Sequence, residues 1–251
     1  MKKMVFGFAA ALCAAVSFGS GVESANIVGY MNNGETVKGL NALGAGFQTV
    51  GYNTFQLNTL KVANANDGDV TTGACVINTI DENGATLATY SWRSAGRKPN
   101  LTWGWYEGST KLSDDVVFGR GVGMLFTAEN NGDKLLSSGE VDLSTVSFGS
   151  TVKGLNLIAN PYPVAVKINT LSVTSASDGS VTTGACVINT IDENGGTLAT
   201  YSWRSAGRVP NLTWGWYNGA TKLDDTVVIK PGQAILFTAS NAGDKLIFPA
   251  Q

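Results

Sequence analysis

The stretch VTTGACVINTIDENGATLATYSWRSAGRKPNLTWGWYEGSTKL at residues 70–112 recurs at residues 181–223 with four changes, Ala85/Gly196, Lys98/Val209, Glu107/Asn218 and Ser109/Ala220. Its reading decides the fold. Short runs rich in β-branched and aromatic residues alternate with turn residues, which is the pattern of strands and not of helices. In the second copy the predicted strands span 183–191, 197–203 and 212–217, then 226–229, 234–239 and 246–248 beyond the quoted stretch. Asp192-Glu193-Asn194-Gly195 reads as a hairpin turn whose glycine takes a positive φ. Asn241-Ala242-Gly243-Asp244 and Lys230-Pro231-Gly232 read as further turns. The segments 58–68 and 169–179 carry frequent Asn, Ser and Thr and are expected to be loops, with a single helical turn as the alternative.

Outward from that stretch the similarity continues more weakly. Phe126-Thr127-Ala128 matches Phe237-Thr238-Ala239, and Gly132-Asp133-Lys134-Leu135 matches Gly243-Asp244-Lys245-Leu246. Upstream, Thr36 to Asn41 matches Thr151 to Asn156 at an offset of 115 instead of 111, so the first copy carries four extra residues between Ala42 and Leu57. A repeat of about 110 residues is too long for a solenoid unit and suits a self-sufficient sandwich. The expected organisation is all-β, two tandem antiparallel β-sandwich modules at residues 26–140 and 146–251, joined by 141–145. The rival arrangement closes both copies into one barrel.

The beginning of the chain reads as a secretory leader. Lys2 and Lys3 precede an apolar run from Met4 to Phe18, followed by small residues to Ala25; cleavage is placed after Ser24, with Gly19 and Gly21 as the alternatives. No later apolar run is long enough for a span of about 20 residues, so the mature chain is expected to have no membrane span. Removing residues 1–24 leaves 15 basic and 18 acidic residues, a net charge of −3. Without a basic cluster the chain cannot neutralise many phosphates, and nucleic acid is set aside as a partner. Cys75 and Cys186 are the only cysteines left, which excludes a disulfide framework. There is no histidine, so the commonest general base and metal ligand are both missing.

Leu157-Ile158-Ala159-Asn160-Pro161-Tyr162-Pro163, then Tyr201-Ser202-Trp203, then Pro231-Gly232-Gln233-Ala234-Ile235-Leu236-Phe237, resembles β-sandwich modules of secreted and surface proteins from several bacterial groups. Those modules open on GxxLIxNPYP and close on PGQxFxF. Ala25 to Tyr30 and Gly139-Glu140-Val141 also resemble an uncharacterised exported family with such modules. The resemblance implies a fold and an exported protein, not an activity. The first copy departs from it, with Leu43-Gly44-Ala45-Gly46 for the Asn-Pro-Tyr-Pro segment and Gly119-Arg120-Gly121 for Lys-Pro-Gly.

The residues best suited to recognition are aromatic. Strand alternation places Tyr90 with Trp92 on one face, and Trp103 with Trp105 on one face of the next run, with Tyr106 opposite. Trp203, Trp214 and Trp216 repeat Trp92, Trp103 and Trp105 in the second copy. Exposed, these six tryptophans would bind glycan or a protein partner; buried, they are core. Both readings stand at this point.

The remaining candidates have plain structural readings. Cys75 and Cys186 read as small buried apolar residues, with a bridge between the copies as the alternative. The acidic pairs Asp81-Glu82, Asp114-Asp115, Asp192-Glu193 and Asp224-Asp225 lie at turns, where such residues are expected. The oxygen-rich clusters 64–69 and 130–133 match no spaced calcium motif. Arg93, Arg97, Arg204 and Arg208 flank the tryptophans, to lie over aromatic faces or pair with turn acids. Asn100-Leu101-Thr102 and Asn211-Leu212-Thr213 match the glycosylation sequon, but the bacterial source that the resemblance implies speaks against its use.

The expectation is an exported, non-enzymatic structural or adhesive protein of the cell surface or extracellular matrix, with no cofactor, metal or catalytic residue. It would be extracellular, surface-held or periplasmic, with polysaccharide or other surface proteins as partners. The alternative is a carbohydrate-binding protein that uses the duplicated Trp/Tyr surfaces.

Overall fold

The structure is a computed structural model describing residues 28–33, 36–45, 54–63, 75–97, 100–148, 151–175, 185–208 and 210–251. The leader and the 64–69 cluster lie outside the described residues. The first repeat contributes β1 (Val28–Asn33), β2 (Gly39–Gly44), β3 (Thr54–Gln56), β4 (Lys61–Ala63), β5 (Val76–Ile80) and β6 (Thr86–Ala95). It continues with β7 (Thr102–Glu107), β8 (Thr110–Lys111), β9 (Val117–Gly119), β10 (Gly123–Ala128) and β11 (Lys134–Glu140). The second contributes β12 (Val146–Phe148), β13 (Gly154–Ala159), β14 (Val166–Lys167), β15 (Ser172–Thr174), β16 (Val187–Ile191) and β17 (Thr197–Ala206). It ends with β18 (Thr213–Asn218), β19 (Thr221–Lys222), β20 (Val228–Ile229), β21 (Ala234–Ala239) and β22 (Lys245–Phe248).

The protein is all-β and antiparallel. Each repeat folds a six-stranded sheet, β2-β10-β5-β6-β7-β8 or β13-β21-β16-β17-β18-β19, and a three-stranded one, β1-β11-β4 or β12-β22-β15. A two-strand pair, β3-β9 or β14-β20, completes each set. Every one of these sheets draws its strands from a single repeat, so the described strands do not close a common barrel.

A core lies between the sheets of each repeat, as an antiparallel sandwich requires. Alternation on β6 sends Tyr90 and Trp92 inward and leaves Leu87, Thr89 and Arg93 outside. Met124 and Phe126 of β10, Ile77 of β5, Leu135 of β11 and Val62 of β4 meet them in the first core. Ile235, Phe237, Ile188, Leu246 and Val173 occupy the corresponding places in the second.

The expected loops at 58–68 and 169–179 are corrected in their described parts. Each opens with a single 3-10 turn, Leu57–Thr59 or Ile168–Thr170, and runs into a strand, β4 or β15. Burial explains the difference: Leu57, Leu60 and Val62, and likewise Ile168, Leu171 and Val173, enter the core and override the polar residues between them. Trp105 Nε1 donates to the Leu60 carbonyl at 3.0 Å, and Trp216 Nε1 to that of Leu171 at 3.0 Å, so each turn is fixed by an indole.

The turns fall where the glycines place them. Asp192 Oδ1 accepts the amides of Asn194 and Gly196 at 2.9 and 2.8 Å, and Gly195 turns at φ 82°. Lys230-Pro231-Gly232 closes with the Gln233 amide on the Lys230 carbonyl at 3.1 Å.

The repeats meet through β2 and β10 of the first and β13 and β21 of the second, and the contacts are reciprocal. The Leu40 amide donates to the Glu193 carbonyl at 2.9 Å, and the equivalent Leu155 amide donates to the Glu82 carbonyl at 2.9 Å. The Gly44 amide reaches the Gly232 carbonyl at 2.9 Å, and the Ala159 amide that of Gly121 at 2.7 Å. Single bridges pair Leu43 with Gln233 and Ile158 with Val122. Gly39 and Gly154 hold φ of 106° and 109°, and a Cβ on either would sit 2.7 Å from the facing glutamate carbonyl. Glycine is required there both for conformation and for space. The joint therefore has the geometry of a two-fold interface made within one chain.

Candidate functional site

The aromatic cluster is assembled by cross-strand pairing. Trp92 of β6 lies directly opposite Trp105 of β7, and Ser94 opposite Trp103. All three indoles therefore share a face. Trp92 and Trp103 stack with centroids 6.2 Å apart and planes 19° off parallel, while Trp92 and Trp105 tilt at 5.3 Å and 60°. The second copy gives 6.1 Å and 21° for Trp203 and Trp214, and 5.3 Å and 57° for Trp203 and Trp216.

The face they share is mostly inside. Trp105 and Trp216 are each 1 % exposed, and Trp92 and Trp203 are buried as well. These four are corrected from candidate ligand contacts to core, because the three-stranded sheet and the 3-10 turn cover them. Burying 150–250 Å² of indole at about 25 cal/mol per Å² gives each roughly 4–6 kcal/mol of favourable transfer energy, an upper bound. Trp103 and Trp214 are half-buried, each with one ring face on its neighbour and the remainder at the surface.

Trp103 borders a groove of about 470 Å³, lined also by Asn58, Lys61, Leu101, Gly104 and Lys111. A Cβ on Gly104 would come within 3.0 Å of Lys111 Cε, so the lysine stem lies across the bare backbone there. Asn58 Nδ2 donates to Asp114 Oδ1 at 2.6 Å, whereas its buried Oδ1 has no partner among the described residues. Asn169 repeats this, with Nδ2 on Asp225 Oδ1 at 2.9 Å and Oδ1 unpartnered. The groove residues recur in the second copy as Asn169, Leu212, Trp214, Gly215 and Lys222, while Ser172 stands for Lys61. Such a set offers an aromatic plane and an ammonium donor. It holds no pairing of nucleophile and base.

The other predicted residues have structural partners. Asp81 Oδ1 accepts the amides of Asn83 and Ala85 within its turn. Asp224 caps Thr226, and Asp225 pairs with Lys167 at 2.6 Å in the open. Arg93 lies over the Tyr106 ring at 5.4 Å and Arg204 over Tyr217 at 4.9 Å, on the face opposite the tryptophans. The Arg97 and Arg208 carbonyls accept the amides of Asn100 and Asn211, which places both sequons at a turn. A bridge between Cys75 and Cys186 does not form: both are free, one in each core.

Two polar arrangements escaped the sequence reading. Cys75 Sγ donates to Asp133 Oδ2 at 3.7 Å, and Cys186 Sγ to Asp244 Oδ2 at 3.6 Å. Each aspartate oxygen also takes a turn amide, from Asn130 at 2.8 Å or Asn241 at 2.9 Å. Burial first, then the neighbouring carboxylate, pushes the Cys75 thiol up to about 12 and the Cys186 thiol up to about 11, from 9.0. The same spacing of 58 residues in both copies was the available signal.

The second arrangement centres on the Asn-Pro-Tyr-Pro segment. Asn160, fully buried, donates Nδ2 to the carbonyls of Val164 at 2.7 Å and Ile229 at 3.0 Å, and its Oδ1 accepts the Tyr162 amide at 2.9 Å. Tyr162 Oη donates to the Ser144 and Phe248 carbonyls at 2.8 and 3.1 Å. Arg120, which stands where the second copy has Pro231, lies 5.2 Å over the Tyr162 ring and pairs with Asp142 at 2.7 Å. It also donates to the Asp142 carbonyl. The connecting segment is thus held by both repeats.

No helix among the described residues is long and apolar enough to cross a membrane. No family model matches the chain, and no curated protein or solved structure matches it.

Proposed function

We propose that this chain is an exported, non-enzymatic structural or adhesive protein of the cell surface or extracellular matrix. The joint between the repeats supports this reading most directly. Leu40 with Glu193 and Leu155 with Glu82 tie the two halves through their backbones, and Arg120 ties the connecting segment to Tyr162. A load on one repeat passes to the other through hydrogen bonds and packed side chains, as a structural element needs. Several polar groups with chemical potential are engaged in holding the fold: each thiol on its aspartate, Asn160 on its carbonyls, Asp81 and Asp192 in their turns. Export rests on the leader at 1–24 and on the resemblance to bacterial surface modules.

Immunodetection on intact cells of the source organism, combined with attachment assays on a strain lacking the gene, tests the proposal. Surface signal and weakened attachment are expected. Strictly cytoplasmic protein, or turnover of a polysaccharide or peptide panel by the purified chain, would overturn it.

A second reading is favoured by one observation, the half-buried Trp103 stacked on Trp92 beside a groove edged by Lys111. A carbohydrate ring would stack on the indole and accept from the Lys111 ammonium, with Trp214 and Lys222 repeating the site. Two sites on one chain raise avidity through effective concentration.

A further inference from the structure

The joint meets itself at two places. Gly44 of β2 and Ala159 of β13 are equivalent positions and face each other, since a Cβ on Gly44 would overlap the Ala159 methyl. Gly123 of β10 and Ala234 of β21 are likewise equivalent, and a Cβ on Gly123 would lie 2.9 Å from the Ala234 methyl and 2.9 Å from Leu157 Cγ. Within the sheets, Gly44 is the cross-strand partner of Gly123, and Ala159 of Ala234. A glycine pair in one repeat thus receives an alanine pair from the other. Neither glycine holds a positive φ, so its backbone would accept alanine; what forbids it is space, taken by the Ala159 methyl at Gly44 and by the Ala234 methyl and Leu157 at Gly123.

From this we propose that the joint is heterotypic by construction: repeat one is shaped to receive repeat two, and like-with-like pairing is disfavoured in both directions. Pairing two second repeats would drive Ala159 into its own copy, and Leu157 onto an Ala234 methyl where Gly123 now leaves room. Pairing two first repeats would leave methyl-sized voids at both axis positions and replace Leu157 by its smaller equivalent, Ala42. Overpacking and void formation both destabilise, so the complementary pairing lies below the other two. The surface accepts one partner, the opposite repeat, either of its own chain or of a second copy by exchange. Near-identical repeats in one chain thereby avoid open-ended association through their most similar surfaces.

The test uses the full chain. Gly44→Ala with Gly123→Ala is expected to lower Tm by about 4–8 °C and to speed hydrogen exchange at the Leu40, Leu155 and Ala159 amides, while the Ile77 and Phe126 amides stay protected. Adding Ala159→Gly, Ala234→Gly, Leu157→Ala and Ala42→Leu exchanges the two surfaces and is expected to return Tm to within about 2 °C of the parent. If the double variant gives no folded protein, recovery of folded protein in the sixfold variant supports the proposal. Unchanged Tm and exchange in the double variant, or no recovery in the sixfold one, overturns it.

Discussion

Cys75 and Asp133 form a buried pair in which the thiol donates across 3.7 Å to a carboxylate oxygen that already holds the Asn130 amide. Cys186 and Asp244 repeat it in the second core. Both cysteines have no exposed surface, and both aspartates are 1 % exposed. The thiols are therefore polar members of the core and not merely small apolar fillers, and their acidity carries the first prediction.

In the unfolded chain each thiol ionises near its ordinary 9.0, but in the folded chain only near 12 for Cys75 and 11 for Cys186. Between those values the unfolded state binds fewer protons. Stability therefore falls as pH rises from about 9, by up to about 1.4 kcal/mol per pH unit for each thiol. Urea midpoints from pH 8 to 11 check the slope, and alanine at both cysteines should flatten it. At pH 8 a thiol reagent should find neither cysteine until denaturant is added.

Asn160→Ala removes the side chain that joins the Asn-Pro-Tyr-Pro segment to the Ile229 carbonyl. It leaves the buried Ile229 carbonyl and the part-buried Val164 carbonyl without this donor, so a loss of about 2–3 kcal/mol is expected from chemical denaturation. Asn160→Asp should cost at least as much, because it places an acceptor against the acceptors at Val164 and Ile229. A loss below about 0.5 kcal/mol in both variants would show that the segment does not latch the turn at Lys230.

Acrylamide should quench only part of the tryptophan emission. Trp103 and Trp214 reach the surface, while the four other indoles do not. Phenylalanine at both Trp103 and Trp214 should abolish the quenchable fraction at little cost in stability. Trp105→Ala, by contrast, should lose about 3–5 kcal/mol. If polysaccharide shifts the parent emission, the shift should vanish in the Trp103/Trp214 double variant; a shift that persists there removes the groove as a carbohydrate site.

Arg120→Ala should loosen the contact of the connecting segment with Tyr162. Its side chain is 12 % exposed and its charge is paired, so a loss of about 1.5–3 kcal/mol is expected. Asp142→Asn should cost less, since Asp142 is largely open and screened by solvent. The Asp142 carboxyl is held below the usual carboxylate range by the Ser144 amide and hydroxyl, then by Arg120. Its contribution is present above the ordinary carboxylate pKa and fades as pH falls through the lower folded value. Denaturation of the parent and of Asp142→Asn from pH 2 to 5 should converge at the acid end.

Much of the strand pattern was legible because turn chemistry is local. Asp192 to Gly195 needs only its own backbone to close, and the hairpin is where its residues place it. The loop expectation for 58–68 failed in its described part for the complementary reason. Leu57, Leu60 and Val62 are separated by polar residues, and only the facing sheet makes them a buried set. Arg120 was noted as a departure from the pattern of the second copy, but its partner Tyr162 is 42 positions away in the other repeat.

By itself the sequence determined the strand-forming character of the chain, its duplication and the sidedness of its aromatic rows, since period-two alternation and turn residues act over a few positions. Tertiary structure alone decided which side of each row is covered, which thiol meets which carboxylate and how the repeats join. Alternation gives a strand two faces without choosing between them; the choice belongs to whatever packs against it, and here that comes from segments tens of residues away.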